Sequence, residues 1–427
     1  MTVPTLSALA TQLTSYNPDS LSVADAQQLI RDYVQATDSS ETVGLNDALC
    51  RVLSEDVISP INVPAHDNSA MDGYAFRGSD LGVEAVMFKV VGTAFAGHKH
   101  EGPVNTGECV RIMTGAVMPA DCDTVVPQEL VTSASEASMT LAPGVVRPGD
   151  NRRLKGEDLM AGKSALRKGK TLHAADLGLL ASLGIGQIPV QRRLRVAVFS
   201  TGDELRNIGE HLDEGCIYDS NRYTIRAMLT RLGCDVLDMG IVKDDRESLE
   251  AALRTACESA DAIVTSGGVS VGEADFTREM MAKLGEVAFW KLAMRPGRPM
   301  AFGRIASNGK SAYLFGLPGN PVAVMVTFYF FARDALLRMM GGTKDSTPLI
   351  QAASQTAIRK KPGRTEYQRG ILSMDANGNP QVRVTGSQGS GILRSMSEAN
   401  CMIILHHEQG NVNAGDPVNV VLFDGLC

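Results

Sequence analysis

The stretch Thr265-Ser-Gly-Gly-Val-Ser-Val-Gly-Glu-Ala-Asp275 is a glycine-rich loop that follows a short apolar run and ends in two carboxylates. Its glycines permit close backbone approaches that a side chain would block, so amide N–H groups can converge on an anion. Glu273 and Asp275 would repel that anion unless a cation lay between them. The loop therefore predicts a phosphate site with a divalent metal. A solvated tight turn is the alternative, because turns favour the same residues.

The loop lies within residues 193–342, where strands and helices alternate as they do in a parallel sheet with helical crossovers. The pattern predicts strands at 194–199, 235–242, 262–265 and 312–315, and helices at 222–232, 247–259 and 276–284. A long apolar helix then begins near Asn320. We expect the Asn320 side chain to cap this helix and Pro321 to occupy its first turn.

Ligands bind beyond the carboxyl ends of the strands in an open parallel sheet, so the segments that follow the strands matter most. These segments combine glycine, hydroxyl and carboxylate groups: Ser200-Thr-Gly-Asp-Glu204, Lys243-Asp-Asp245, the glycine loop and Gly316-Leu-Pro-Gly-Asn-Pro321. Turn chemistry explains any one of them. Four in succession favour a shared binding site.

Basic residues enter the chain shortly after the glycine loop. Lys291, Arg295 and Arg298 surround the Pro296-Gly297 pair. Arginine presents a planar fork that matches tetrahedral oxyanions, so this segment predicts an oxyanion pocket. Exposed arginines on a surface loop are the alternative interpretation.

The flanking regions have other patterns. Residues 22–35 have helical periodicity with a Ser22/Asp25 capping pattern at their start, and residues 174–183 are helical as well. The two stretches enclose short β-prone runs between residues 61 and 149, which predicts an all-β insertion within a helical segment. Alternation after residue 347 predicts a small β-barrel or sandwich. Three loops carry acids, cations and a hydroxyl that turn chemistry explains equally well: Asp67-Asn-Ser-Ala-Met-Asp-Gly-Tyr-Ala75, Arg111-Ile-Met-Thr-Gly115 and Arg152-Arg-Leu-Lys-Gly-Glu-Asp158.

Composition excludes several classes of protein. The 427 residues carry a formal charge of −7, which argues against a general nucleic-acid binder. The longest apolar run, 322–332, is too short to cross a bilayer, and the N-terminus lacks a secretory signal pattern. The eight cysteines form no CxxC pair, so zinc fingers and disulfide frameworks are not expected. We therefore expect a cytoplasmic protein with no membrane partner.

The motifs, taken together and in this order, resemble the MoeA family, which is related to the C-terminal domain of gephyrin. The resemblance runs from about residue 22 to 425. It is carried by these stretches: Asp67 to Ala75, Arg111 to Ala116, Gly156-Glu-Asp158, Phe199 to Leu205, Tyr218-Asp-Ser-Asn221, Ser266 to Asp275 and Gly316 to Pro321.

The resemblance implies a multidomain α/β fold. Its centre is a MogA-like α/β domain with a mostly parallel sheet at 191–342. A discontinuous helical and extended linker, which also serves dimerisation, takes up 1–60 with 151–190. An inserted β-rich domain takes up 61–150, and a C-terminal β-barrel takes up 343–427.

The resemblance also implies an activity, molybdopterin molybdenumtransferase: adenylylated molybdopterin and molybdate give molybdenum cofactor and AMP, with Mg²⁺ as cofactor. It implies a homodimer whose active sites lie between subunits, and transient contact with the adenylylating MogA-type protein and with molybdoenzymes. The catalytic residues would be Asp72, Thr114, Asp158, Glu204, Asp244, Asp275 and Lys291, with Asp244 and Asp275 as magnesium ligands. The binding residues would be Ser266, Gly267, Gly268, Ser270, Pro318, Gly319 and Asn320, with molybdate at Arg295, Arg298, Arg369 and Ser390.

One departure and two rival functions remain open. Similar proteins commonly carry lysine where this chain has Arg295 and Arg298, so a compact ammonium becomes a fork that grips two oxygens. The first rival is the preceding adenylyl transfer from ATP, whose enzymes resemble residues 193–340 alone. The second is a scaffold that has kept the fold and lost catalysis.

Overall fold

Among the residues that the structure describes, the N-terminal region contains two α-helices and two short strands. The computed structural model describes residues 5–13, 15–268, 275–343 and 347–426, and the side chains of 275–279 lie outside the described set. The first elements are α1 (Leu6–Ala10), α2 (Val23–Tyr33), β1 (Ser40–Gly44) and β2 (Val57–Ile58). The Ser22 hydroxyl accepts a hydrogen bond from the Asp25 N–H, which confirms the predicted cap of α2.

Residues 68–141 form a β-rich unit. Its strands are β3 (Asn68–Ser69), β4 (Gly73–Phe76), β5 (Val86–Ala94), β6 (Glu108–Ile112), β7 (Thr124–Pro127), β8 (Ser133–Ala134) and β9 (Ser138–Leu141). The six strands other than β3 pair in the order β7-β4-β6-β5-β9-β8, with β5 and β6 parallel and the other neighbours antiparallel. Phe76 and Phe88 pack in one of its cores with ring centroids 4.7 Å apart. The predicted β-rich insertion is confirmed.

The chain then returns to pair with its own beginning. The returning elements are β10 (Arg152–Arg153), β11 (Ser164–Leu166), α3 (Ala174–Ser182) and β12 (Gln187–Gln191). Strand β12 pairs antiparallel with β1, β11 with β2, and β10 with β3. These three strand pairs join the β-rich unit to the rest of the chain, and we call them the neck.

A mixed sheet forms the α/β part. Its region contains β13 (Arg195–Thr201), β14 (Leu205–Arg206), β15 (Ile217–Tyr218), α4 (Asn221–Arg231), β16 (Asp235–Val242), α5 (Arg246–Ser259), β17 (Ala262–Ser266), α6 (Asp275–Leu284), β18 (Gly285–Lys291), β19 (Met294–Arg295), β20 (Pro299–Ser307) and β21 (Lys310–Leu317). The sheet order is β16-β13-β17-β21-β20-β18. The first four neighbours are parallel, as predicted. Strands β18 and β20 add an antiparallel edge, and β20 was not predicted.

The apolar helix after β21 is divided. It comprises α7 (Pro321–Thr327), a π-helical stretch (Phe328–Ala332) and α8 (Arg333–Met339). Pro321 occupies the first turn as predicted. The prediction that the Asn320 side chain caps the helix is wrong, because that side chain makes no capping hydrogen bond. The Val322 N–H instead donates to the Ser390 carbonyl oxygen at 3.0 Å, so the C-terminal region satisfies one of the free amides of this helix.

The C-terminal region is a closed barrel. Its elements are β22 (Ile350–Ser354), β23 (Thr365–Met374), β24 (Pro380–Val384), α9 (Leu393–Glu398), β25 (Cys401–Leu405) and β26 (Pro417–Leu422). The strands pair in the order β23-β24-β22-β26-β25, and β25 pairs again with β23. Strand β19 pairs with β23, which joins the barrel to the α/β part. Within the described part of the chain, no helix combines the length and apolarity that spanning a membrane requires.

Candidate active site

The described parts of four predicted loops meet at one edge of the α/β sheet, and for the glycine loop this part is residues 265–268. Strands β16, β13, β17 and β21 are parallel neighbours, so their carboxyl ends lie side by side. The register pairs Ser200 with Ser266, and Ser266 with Leu317. The segments that follow these strands are the ones the sequence singled out, and their contacts bring them together.

Glycine is required where the loops touch. Gly267 has φ +91°, and a Cβ there would lie 2.4 Å from the carbonyl oxygen of Thr201. Gly268 also has a left-handed backbone, with φ +68°. A Cβ at Gly319 would lie 4.0 Å from the Cα of Gly267, so the β17 and β21 loops face each other with room for about one methyl group between them. Gly267 therefore permits a backbone contact that any side chain would prevent.

Carboxylates of the β13 and β16 loops gather beside these glycines. The Thr201 hydroxyl donates to Asp244 Oδ1, and the Asp244 N–H donates to Asp203 Oδ1, both over a long 3.5 Å. The exposed Glu204 carboxylate lies over Gly202, where a Cβ would be 2.6 Å from Glu204 Oε2. Asp244 is exposed as well. The cluster presents oxygen ligands to solvent at the sheet edge.

Two of the predicted residues cannot be placed in this cluster. Ser270 lies outside the described residues. Asp275 begins α6, but its side chain lies outside the described set. Their roles stay predictions.

A second group of candidate residues lies in and beside the β-rich unit. Thr114 donates from its backbone N–H and from its hydroxyl to Asp72 Oδ1, at 2.7 and 2.6 Å. These bonds, the hydroxyl bond first, hold the pKa of the Asp72 carboxyl below its ordinary value. Asp158 is exposed, and its N–H donates to the Val63 carbonyl oxygen at 3.1 Å.

The three ambiguous loops of that region are tied together. Arg152 forms an ion pair with Asp67, and the Lys155 N–H donates to Asp67 Oδ1 at 2.7 Å. The Lys155 bond, followed by Arg152, lowers the pKa of the Asp67 carboxyl. The Gly115 N–H donates to the Ser69 carbonyl oxygen at 2.8 Å, which brings the Thr114 loop to the same place.

The predicted basic residues differ in their surroundings. Arg295 and Arg298 are exposed. Lys291 Nζ instead donates to Asp19 Oδ1 at 2.7 Å, and Asp19 belongs to the segment before α2. Sequence reasoning missed this pairing, because the two residues are 272 positions apart.

Arg369 is fully buried on β23. Its guanidinium donates to the carbonyl oxygens of residues 387, 388 and 389 and to Ser395 Oγ, at 2.9 to 3.2 Å. Burial, and then the charge of Arg295, lowers the pKa of Arg369 to about 10. The side chain thus remains charged at neutral pH and holds the loop that carries Ser390.

Three further residues link the strand ends from below. Asp219, Asn221 and Arg222 are all buried and bond to residues on or after the four parallel strands. The motif Tyr218-Asp-Ser-Asn221 was visible in the sequence, but sequence reasoning assigned no role to it.

The oxygen atoms at this sheet edge fit a Mg²⁺ ion that keeps several water ligands. In the described part of the chain they do not form a site in which the protein alone surrounds the ion. Among the described residues no group of three or more His, Cys, Asp or Glu side chains could hold a metal ion. Mg²⁺ usually takes one or two carboxylates and completes its coordination with water and substrate phosphates. Asp244 and the Thr201 hydroxyl at the sheet edge fit that requirement.

Family models match nearly the whole chain in order. Residues 21–184 match the MoeA N-terminal region (domains I and II), 197–338 a probable molybdopterin binding domain, and 351–423 the MoeA C-terminal region (domain IV).

Whole-length relatives agree with these matches. A Haemophilus influenzae protein named molybdopterin molybdenumtransferase is 40% identical over 95% of this chain and 99% of its own length. A Nostoc protein of the same name is 34% identical over 94% of this chain and 93% of its own length.

Solved structures share the architecture. A molybdopterin biosynthesis MoeA protein from Pyrococcus horikoshii OT3 superposes with a TM-score of 0.81 at 27% identity, covering 95% of this chain and all of that one. A second Pyrococcus structure described in the same terms gives a TM-score of 0.74 at 30% identity, covering 95% of this chain and 99% of that one. The chain therefore belongs to the MoeA family.

Proposed function

We propose that this chain is a molybdopterin molybdenumtransferase, which inserts molybdate into adenylylated molybdopterin and releases AMP. The observation that carries the proposal is that the segments after four parallel strands meet at one sheet edge, with glycines on the β13, β17 and β21 sides and carboxylates on the β13 and β16 sides. This arrangement occurs in a chain whose whole-length relatives carry that name. The proposed setting is the cytoplasm.

The glycine loops supply the pocket for the pyrophosphate. A methyl group added to Gly319 would only just touch the Gly267 backbone, so among the described residues the two loops leave an open space between them. Backbone amides at such a turn stabilise an anion without the cost of desolvating a charged side chain. Ser266, Gly268, Pro318 and Asn320 border the same pocket in the proposal.

Asp244 and Asp275 would hold Mg²⁺, with Thr201 beside them. When bound, the ion neutralises the pyrophosphate and polarises its phosphorus–oxygen bond. Glu204 lies at the neighbouring strand end, where it adds negative charge on the solvent side. In the proposed step, an oxygen of molybdate or of water forms a bond to a phosphorus of the pyrophosphate while the bridging phosphorus–oxygen bond breaks, so AMP leaves and the other phosphate stays on the pterin.

The cationic residues would collect molybdate. Arg295 and Arg298 are exposed and able to grip two oxygens each, whereas Arg369 acts from beneath by fixing the loop of Ser390. Lys291 would join them once it leaves Asp19.

We also propose a homodimer. The Asp72–Thr114 group and Asp158 would complete the active site of the partner subunit, as the family resemblance implies. Transient contact with the adenylylating MogA-type protein would deliver the substrate, and contact with molybdoenzymes would remove the product.

The test is a comparison of Asp244→Ala and Asp275→Ala with the wild-type protein. Both variants should still bind adenylylated molybdopterin but lose molybdate-dependent AMP release. Asp375→Ala, at an exposed turn of the barrel, is the control and should release AMP at the wild-type rate. An unaffected AMP yield in both active-site variants would remove these acids from the mechanism.

A further inference from the structure

The segment Asp219-Ser-Asn-Arg222 contacts three of the four parallel strands and the loop that follows the fourth. It lies at the start of α4, below the carboxyl edge of the sheet. Separate hydrogen bonds join its buried side chains to Ser200 on β13, Asp238 on β16 and Ser266 on β17, and another reaches Gly319 after β21.

Asp219 and Arg222 connect the first two strands. Asp219 is 2% exposed and accepts from the Ser200 hydroxyl on β13 at 3.0 Å. Arg222 donates to Asp219 at 3.1 Å and to both carboxylate oxygens of Asp238 on β16 at 2.9 Å. Charge-assisted bonds of this kind fix geometry as well as supplying energy.

Asn221 connects the other two strands. Its side-chain NH₂ donates to Ser266 Oγ at the end of β17, at 2.8 Å, and to the carbonyl oxygen of Gly319 after β21, at 2.6 Å. The side chain is 9% exposed. A flipped amide would place two oxygens against each other at the Gly319 contact, so the orientation is determined.

The acceptor of the same amide has no hydrogen-bond partner in the described part of the protein. Asn221 Oδ1 is buried and unpaired. A buried acceptor without a partner costs stability, and such groups concentrate at functional sites. We therefore explain the presence of Asn221 by the loop geometry that its NH₂ group fixes, and not by a gain in stability.

We propose that Asn221 is a positioning residue for the pocket between Gly267 and Gly319. Its amide sets the spacing of the β17 and β21 loops, and under the proposed function this spacing determines how the adenylylated pterin sits. The inference rests on the proposed function. Small displacements of a bound reacting group reduce rates steeply, so the loss of this link affects catalysis more than folding.

The test is Asn221→Ala, measured for both substrates. The KM for adenylylated molybdopterin should rise about tenfold and kcat should fall, because the pterin pocket loosens. The KM for molybdate should stay unchanged, because the exposed arginines lie on a different segment. Asn221→Asp should behave like the alanine variant, since a carboxylate cannot donate to Gly319.

Asn400→Ala is the matched control. The Asn400 side chain likewise makes two hydrogen bonds, both to the backbone of Leu372 in the barrel. Asn400→Ala should lower the melting temperature while the KM values for both substrates stay at the wild-type values. If Asn221→Ala also leaves both KM values and kcat unchanged, or if it raises both KM values equally, the positioning role is overturned.

Hydrogen exchange separates this inference from the proposed function. Amides of 262–268 and 312–320 should exchange faster in Asn221→Ala than in the wild type, whether or not AMP is released. Wild-type protein without AMP release would refute the proposed function. Unchanged exchange in those peptides would refute the positioning role itself.

Discussion

Thr114 gives two hydrogen bonds to a single oxygen of Asp72, one from its backbone N–H at 2.7 Å and one from its hydroxyl at 2.6 Å. The carboxylate is exposed, so its ionisation is controlled by these bonds rather than by burial. The pair lies on two loops of the β-rich unit that the Ser69–Gly115 hydrogen bond holds together.

Thr114→Val should raise the pKa of the Asp72 carboxyl toward its ordinary value, because the variant loses the hydroxyl bond and keeps the backbone bond. The folded-state pKa of Asp72 is depressed, so its stabilising contribution exists above the unfolded pKa and is lost as the pH falls through the folded one. Carbon-13 titration of labelled aspartate measures the shift. Thr140→Val, on another strand of the same sheet, should leave that titration unchanged.

Gly267→Ala and Gly319→Ala should behave differently. The first places a Cβ 2.4 Å from the Thr201 carbonyl oxygen at φ +91°, and it should lower the melting temperature strongly. The second places a Cβ no closer than 4.0 Å to any atom of the described residues apart from its own chain neighbours, so the protein should fold normally. Its methyl group narrows the proposed pocket, and AMP release should fall. Equal melting temperatures for the two variants would contradict the close contact at Gly267.

Arg369→Met should destabilise the barrel by about 3 kcal/mol, because the carbonyl groups of residues 387–389 and the Ser395 hydroxyl lose the donor that Arg369 supplies. Differential scanning calorimetry measures the effect on the barrel transition. Arg383→Met, at an exposed position on β24, is the control and should change stability by less than about 0.5 kcal/mol. A melting curve of Arg369→Met that overlies the control would show that the guanidinium network contributes nothing to stability.

Asp19→Asn should lower the KM for molybdate about threefold. The substitution weakens the hydrogen-bonded ion pair with Lys291, and a partly exposed pair of this kind is worth up to ~1 kcal/mol. Lys291→Met should raise the same KM, and the double variant should match Lys291→Met. An additional gain from Asp19→Asn in the double variant would mean that Asp19 acts through some other group.

Local patterns predicted the elements whose determinants are close in sequence. The strand expected at 235–242 and the cap of α2 by Ser22 depend on neighbouring residues, and both occur as predicted. Strand β20 was missed because it starts at a proline after a Pro-Gly turn and contains Gly303, features that normally end a strand. Its partners on both sides supply the hydrogen bonds that override those signals.

Much of the candidate site depended on topology that no local pattern reveals. The loops could be placed together because parallel strands align their carboxyl ends. The capping of α7 by Ser390, the burial of Arg369 and the pairing of Lys291 with Asp19 each join segments far apart in the chain. Such contacts arise from the packing of one domain against another, and the secondary-structure propensities of single residues do not predict them.

The neck beneath the β-rich unit has a consequence for how the chain is made. Strands β1 and β2 precede that unit, whereas their partners β12 and β11 follow it. On the ribosome, the β-rich sheet has every strand it needs once residue 141 has emerged. Residues 40–58 must wait for residue 191. The β-rich unit can thus fold before the neck that holds it. During that interval β1 and β2 have no partner strands.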